Sequence, residues 1–502
     1  MRAFHPLLLT AVLVQLGCAS RGAVVTPPVQ RSLAAVIDSI TMQSPLHRTS
    51  WGILVQDAAS GRVLYARNPE KHFIPASNTK LVIGVVAFGK FGADWRYRTP
   101  LLLGGRSADS AATLIMAGSG DPTWSERFHD SAAAPLDSMA ALVAASGVRT
   151  IGALVLDVSR FRDELVNGSW EVGDLPGIYA PPIEAIAAAD GTFDLVVTGG
   201  AVPGDPAGVT VAGPLTQPLR ADLTTDTAGA RTSLSIDYTA RRDTIYVTGT
   251  AGAGTVDTLT RAVTQPARSV GGALVELLGK RGIRVDSVVV VRDSARAGAL
   301  RAEAAVIAEW HSPPMRDIVA VILRPSQNWV AEQVLKSLGS EFAGDGSWRG
   351  GIGVEREYLY SAAGVDSLAV NLRDGSGMSA QNLLSPDATV QMLLHARAQP
   401  WAEAFRDALA APGLEGTTLA GRLEPLAGRV FGKTGTISNV NALSGYLVAA
   451  DGRDIVFSIL TNGTGLPSGM VRSAMDDIVL AVARAVDADG SNIELERAGG
   501  GQ

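Results

Sequence analysis

The stretch 75-PASNTK-80 is followed at once by an apolar run, Leu81, Val82, Ile83, Val85, Val86 and Phe88. Ser77 and Lys80 stand three apart at the head of that run. The whole chain holds six lysines against 37 arginines, so a lysine here is unusual. Two readings compete. One is an N-cap serine followed by a solvated lysine. The other is a nucleophile and its base. The apolar spacing predicts a helix over 77–90, and residues i and i+3 share a helix face, so Nζ of Lys80 can reach Oγ of Ser77. A serine hydroxyl attacks poorly until a base takes its proton. A lysine can be that base only if its pKa is pulled down, by apolar burial or by a second cation nearby. The apolar run supplies the first condition. The second must come from elsewhere in the chain.

Lys433, in 430-VFGKTGTISNV-440, is one candidate. Lys433, Thr434, Gly435 and Thr436 offer a cation, two hydroxyls and a glycine that lets a ligand approach the backbone closely. Such a group suits an anionic carboxylate. A third stretch, 324-RPSQNWVAEQVLKSLG-339, puts Ser326 and Asn328 at the head of a helix. Ser326 can pass a proton. The Asn328 amide can both donate to and accept from a peptide group. Each signal alone has a bland reading: a cap, a turn, a cap.

Their order is more specific. Ser77-x-x-Lys80, Ser326-x-Asn328 and Lys433-Thr434-Gly435 follow one another as in the three-motif set of penicillin-binding proteins and serine β-lactamases. The chain contains one Ser-x-x-Lys and one Lys-Thr-Gly. Ser326 follows Ser77 by 249 positions, far more than a compact β-lactamase needs. The chain thereby resembles the low-molecular-mass class C penicillin-binding proteins, the D-Ala-D-Ala carboxypeptidase/endopeptidase family (serine peptidase family S13). Residues 118–124 (GSGDPTW), 169–186 (SWEVGDLPGIYAPPIEAI), 374–386 (DGSGMSAQNLLSP) and 433–447 extend that resemblance over most of the chain. Two departures stand out: Gln327 inside the second motif, and 186-IAAADG-191 where an Asn-rich run is expected.

The resemblance implies an α+β fold, with a β-lactamase/transpeptidase-like domain (an antiparallel sheet flanked by helices) and a β-rich insertion between the first two motifs. It implies roles as well. Ser77 attacks the carbonyl of the penultimate D-Ala and is acylated. Lys80 is the general base, although the sequence leaves open which of Lys80 and Lys433 takes the proton. Ser326 relays a proton to the leaving amine, and Asn328 holds the substrate backbone. Lys433 supplies positive field, with Thr434, Gly435 and Thr436 near the terminal carboxylate. The backbone N–H groups of Ser77 and Thr436 form the oxyanion hole, each such donor contributing about 3–4 kcal/mol. The implied ligands are peptidoglycan peptides and β-lactams, with neither metal nor cofactor. A β-lactamase or serine esterase on the same fold, or a silent cell-wall binding module, are the alternatives. The motifs leave three things open: the balance of carboxypeptidase and endopeptidase action, the third residue of the stem peptide, and the oligomeric state.

Composition sets the frame. At 502 residues the chain is too long for one core, and two to four domains are expected. Hydrophobic residues make up 46% and charged residues 18%, ordinary for a folded chain. A net charge of −6 without a basic run excludes the usual nucleic-acid binder. Arg2 and the apolar run Leu7–Leu16 read as a secretory signal peptide over residues 1–19. The chain is therefore expected to be secreted across the inner membrane into the periplasm. Cys18, the single cysteine, lies where the signal would be cut and resembles a lipobox cysteine. Lipidation at Cys18 and plain cleavage after Ala19 both stay open.

The expected organisation is a catalytic domain over 30–95 and 301–486, a lysine-poor insertion over 96–300 in two lobes, and a mobile polar tail over 487–502. The six histidines are scattered without metal-like spacing. Asp121 and Asp374 sit in Gly-rich loops and read as turn residues. Trp170 and Tyr179 could line a cleft, but core packing is the reading preferred for both.

Overall fold

In a computed structural model, residues 32–499 are described, apart from 163, 176, 213–217 and 238–243. The segment expected as a signal peptide, Cys18 included, lies outside the described residues.

Five strands form one antiparallel sheet. They are β1 (Ser50–Asp57), β2 (Val63–Arg67), β3 (Val430–Ile437), β4 (Val440–Val448) and β5 (Asp454–Asn462), in spatial order β3-β4-β5-β1-β2. The hairpins are local: Asp451-Gly452 turns β4 into β5, with Gly452 at φ 84° where a side chain would be strained. The β5–β1 pairing joins residues some 400 positions apart, for example Ile459 opposite Ile53.

Helices cover both faces of this sheet, so its central strands read as nearly unbroken apolar runs. Side chains still alternate. Ile53, Val55, Phe457 and Ile459 pack with Ile37 of the helix Leu33–Met42 and with Val471, Met475 and Ile478 of the helix Ser468–Gly499. Leu54, Val456 and Tyr446 face the opposite way, into the core that holds the helix Lys80–Lys90. In that helix every residue from Lys80 to Phe88 is buried, which explains why its sequence is apolar all round. Gly84 lets Leu323 and Phe405 come close to its backbone.

The insertion has two parts. The first is a mixed six-stranded sheet built on Arg98–Ser107, Ser110–Ala117 and Thr150–Asp157, packed by the helices Ala134–Ala145 and Pro266–Lys280. Three of its pairings are parallel, which strand-rich texture alone does not foretell. Its edge strand, Ala304–His311, pairs with Arg98–Gly104, so the insertion's sheet reaches past residue 300. The second part is a pair of three-stranded sheets drawn from residues 192–262.

At the C-terminus the helix Ser468–Gly499 runs through the segment expected as a mobile tail from 487. Asp487 anchors its middle, accepting from Arg429 and from the Ala450 N–H, and Asp489 meets Arg62. Both acids thus have basic partners beside the sheet, Arg429 just before β3 and Arg62 just before β2. Among the described residues no helix is long and apolar enough to cross a membrane.

Candidate active site

Ser77 lies on a single 3₁₀ turn, Ala76–Thr79, that leads into the helix Lys80–Lys90. Ala76 takes φ +47°, a left-handed conformation disfavoured for a residue with a Cβ, and the turn is held by its surroundings. Thr79 Oγ1 donates to the Ala76 carbonyl at 2.9 Å, and Asn78 Nδ2 to Ser444 Oγ on β4 at 2.7 Å. Gly377, at φ +83°, packs so closely that a Cβ there would run into the Ala76 carbonyl oxygen. Gly377→Ala is therefore expected to lose about 2–4 kcal/mol of stability, from left-handed strain plus a backbone clash. A lowered melting temperature together with lost covalent labelling by a β-lactam checks this.

The solvated-cap reading of the first motif fails. Lys80 is 0% exposed. Its Nζ donates to Ser77 Oγ at 3.1 Å, to Asn328 Oδ1 at 2.6 Å and to the Ser376 carbonyl at 2.5 Å. Burial pushes its pKa down to about 7, against the pull of Asp374 and Glu332, which favour the charged form.

Lys433 is equally buried on the edge strand β3. Its Nζ donates to Ser326 Oγ and to the Thr434 carbonyl, both at 2.8 Å. Burial, and then the positive charge of Lys80, hold its pKa well below the ordinary lysine value. Each lysine thus serves a different serine: Lys80 touches Ser77, Lys433 touches Ser326.

Ser326 stands at φ +67°, just before the helix Asn328–Ala343. Asn328 is bound at both ends of its amide, accepting from Lys80 and donating through Nδ2 to the Tyr179 carbonyl at 2.9 Å. Gln327 caps its own helix, accepting from the Trp329 N–H, and donates to Asp190 Oδ2 at 3.0 Å. The departure at 186-IAAADG-191 therefore still yields a contact between the insertion and the second motif, through Asp190.

The third motif completes the site. A Cβ on Gly435 would lie 3.1 Å from the Ser77 backbone nitrogen and 2.8 Å from the Pro75 carbonyl, so only a glycine lets β3 approach the Ser77 turn this closely. Thr434 Oγ1 donates to Thr418 Oγ1 at 2.8 Å, and Thr436 Oγ1 accepts from Asn441 at 3.2 Å. Ser77, Ser326, Asn328, Thr434, Gly435 and Thr436 all line one open cleft of about 670 Å³.

Sequence reasoning missed some neighbours. Tyr179, read as core, is 65% exposed and lines the cleft, because its backbone serves Asn328 while its ring faces out. Trp170 is core, as read, and donates to Asp374. Asp374 does organise its Gly-rich turn, accepting from the Gly377 and Ser379 N–H groups. It also bears on Lys80 electrostatically, which no local pattern announced. Glu332 was unmarked by any motif. A Glu four residues after the motif asparagine, on the same helix face and inside an apolar run, was the available signal.

Comparison with known proteins bears on the same arrangement. The model of the D-Ala-D-Ala carboxypeptidase 3 (S13) family matches residues 33–484. The D-alanyl-D-alanine carboxypeptidase of an Actinomadura species is 36% identical over 472 residues, covering 89% of this chain and 84% of that protein. The penicillin-sensitive carboxypeptidase A of Dictyostelium discoideum is 23% identical, covering 87% and 88%. In fold, the crystal structure of penicillin binding protein 4 from Haemophilus influenzae superposes with a TM-score of 0.78 at 20% identity, covering 89% of this chain and 99% of that one. With the family model spanning nearly all of the described chain, this protein belongs to the D-Ala-D-Ala carboxypeptidase S13 family of serine peptidases.

Proposed function

We propose that the chain is a serine DD-carboxypeptidase, also acting as an endopeptidase on cross-links, that cleaves peptidoglycan stem peptides through an acyl-enzyme on Ser77. The observation that carries this reading is the contact between Ser77 Oγ and a fully buried Lys80 whose pKa sits near neutrality. Membership in a carboxypeptidase family supports the substrate class.

In this mechanism neutral Lys80 takes the Ser77 hydroxyl proton as Oγ forms a bond to the carbonyl carbon of the penultimate D-Ala. Negative charge collects on the carbonyl oxygen, between the backbone N–H groups of Ser77 and Thr436. The C–N bond then breaks, and the departing amine takes a proton from Ser326, which lies on Lys433. The hydroxyls of Thr434 and Thr436, which line the cleft, face the terminal carboxylate, and Lys433 buried behind them supplies positive field. The proton held by Lys80 then returns to Ser326; water attacks the ester, giving a proton to Lys80, which passes it to Ser77 Oγ as the ester C–O bond breaks and the acyl group leaves as the carboxylic acid. A β-lactam offers a strained amide to the same oxygen, but its leaving group stays tethered. A cross-link presents the same bond with a bulkier leaving group, which an open cleft on the edge strand can admit.

Such substrates lie in the cell wall. The reading therefore includes export by the leader-like segment, with Cys18 as a candidate lipid anchor. The test is a fluorescent penicillin followed over time, beside release of D-Ala from a peptide ending in D-Ala-D-Ala. A lasting label together with D-Ala release is expected. Rapid loss of label with drug turnover, and no D-Ala release, would replace the peptidase reading by that of a β-lactamase.

A further inference from the structure

Behind Lys80, away from the cleft, lies a cluster of buried acids that the mechanism above does not use. Glu332 is on the helix Asn328–Ala343, one turn after Asn328, so both side chains leave the same helix face. Its Oε1 accepts from the backbone N–H groups of Gly375 at 3.0 Å and Ser376 at 2.7 Å. Its Oε2 accepts from Trp348 Nε1 at 2.8 Å. Ser376, held by its N–H in this way, turns its carbonyl onto Lys80 Nζ at 2.5 Å, and Asp374 accepts from the Gly377 N–H on the far side of that carbonyl's peptide. One helix face therefore grips the ammonium twice, through Asn328 directly and through Glu332 by way of one residue, Ser376, whose N–H Glu332 holds and whose carbonyl meets Nζ.

Resting on the acylation mechanism proposed above, we propose that Glu332 is a positioning residue for Lys80: it fixes the Ser376 carbonyl against Nζ and its charge sets the pH at which Lys80 can accept the Ser77 proton. Four hydrogen-bonding groups are fully buried here, Lys80, Glu332, Asp374 and Ser376, each 0% exposed. In so dry a place a carboxylate acts strongly on a nearby ammonium.

The charged groups facing Lys80 are few. The charge of Lys80 disfavours the protonated form of Lys433 on β3, whereas Asp374 in the loop and Glu332 on the helix favour the protonated form of Lys80. Glu332 is itself pushed up to about 7, by burial first and then by Asp374. Lys336, farther along the same helix, lies over the Trp348 ring at 3.7 Å. Glu355, on the helix Trp348–Ser361, is fully buried, and neither of its oxygens has a hydrogen-bond partner. Burial, and then the charges of Glu332 and Asp374, hold its pKa well above the usual carboxyl range, which favours the neutral acid. That makes Glu355 a control: a buried carboxyl in the same cluster that makes no hydrogen bond to Ser376 or to Lys80.

The sign follows. The reactive form has neutral Lys80, so acylation rises as pH rises through the lysine's pKa. Glu332, itself raised to about 7, gains its negative charge over the same pH range, and where charged it raises that pKa. Removing it moves the acidic limb of the rate profile to lower pH.

The test is the second-order rate of acylation by benzylpenicillin between pH 5 and 9, for the wild type, Glu332→Gln, Glu332→Ala and Glu355→Gln, with melting temperatures recorded for each. Glu332→Gln is expected to move the acidic midpoint down by about one pH unit and to lower the plateau by less than about tenfold. Glu332→Ala also frees the Gly375 and Ser376 N–H groups, and its plateau is expected to fall by about 10–100-fold. Should that variant not fold, the glutamine variant decides. Glu355→Gln is expected to leave the profile in place. A Glu332→Gln profile superimposed on the wild type, or an equal shift in Glu355→Gln, would overturn the proposal. A wild type that is not acylated at any pH would remove the peptidase reading, and this inference with it.

Discussion

Ser77→Ala is expected to lose covalent labelling by penicillin altogether and to lower D-Ala release by about 10⁴-fold or more. The reason is chemical. Without Oγ no ester can form, and no other hydroxyl meets Lys80, whose three partners are Ser77 Oγ, an amide oxygen and a backbone carbonyl. The oxyanion hole and the carboxylate seat survive, so weak non-covalent binding of a D-Ala-D-Ala peptide should persist. Stability should change little, because Ser77 Oγ is only one of three acceptors of the Lys80 ammonium. Stopped-time labelling and a melting curve on the same preparation separate the two effects.

Lys80→Met carries the second-largest effect. Methionine approximates the length of the lysine stem without the amine. Acylation is expected to fall by about 10²–10⁴-fold, the usual contribution of a positioned general base. Two consequences for stability oppose each other. Removing a buried ammonium relieves a desolvation penalty of several kcal/mol. Leaving the Ser376 carbonyl and Asn328 Oδ1 without their donor costs about 1–3 kcal/mol each. These roughly offset, so the melting temperature should move by only a few degrees while the rate collapses. A large fall in both together would mean that Lys80 is chiefly structural. Residual activity above about one tenth would point to Lys433 as the base instead, although its Nζ meets Ser326 rather than Ser77.

Much of this site was legible because its three motifs are local. A helix start, a strand with Lys-Thr-Gly and a capped helix each write their chemistry within six residues. The sheet was legible too: the apolar strands β4 and β5 around Asp451-Gly452 could only be a hairpin. Elements disguised by tertiary packing were not. The helix Trp348–Ser361 contains Gly350, Gly351 and Gly353, which by propensity argue against a helix. Gly350 and Gly351 are there because that helix packs against the backbone of the helix Asn328–Ala343 and the loop after it: a Cβ at either would strike the Asp345 or Leu335 carbonyl. In the same way, nothing near Glu332 in sequence foretells Ser376 or Lys80. Their meeting depends on a loop more than 40 residues later folding back over the helix. The parallel strands of the insertion share this difficulty, since Thr150–Asp157 pairs with Val288–Val291 far along the chain.

The central claim is that Ser77 is the residue acylated. Treating the protein with benzylpenicillin, digesting it and mapping the adduct by mass spectrometry tests this most directly. One adduct per chain is predicted, on the peptide that contains Ser77, and none in Ser77→Ala. An adduct on any other residue, or undiminished labelling of Ser77→Ala, would contradict the account.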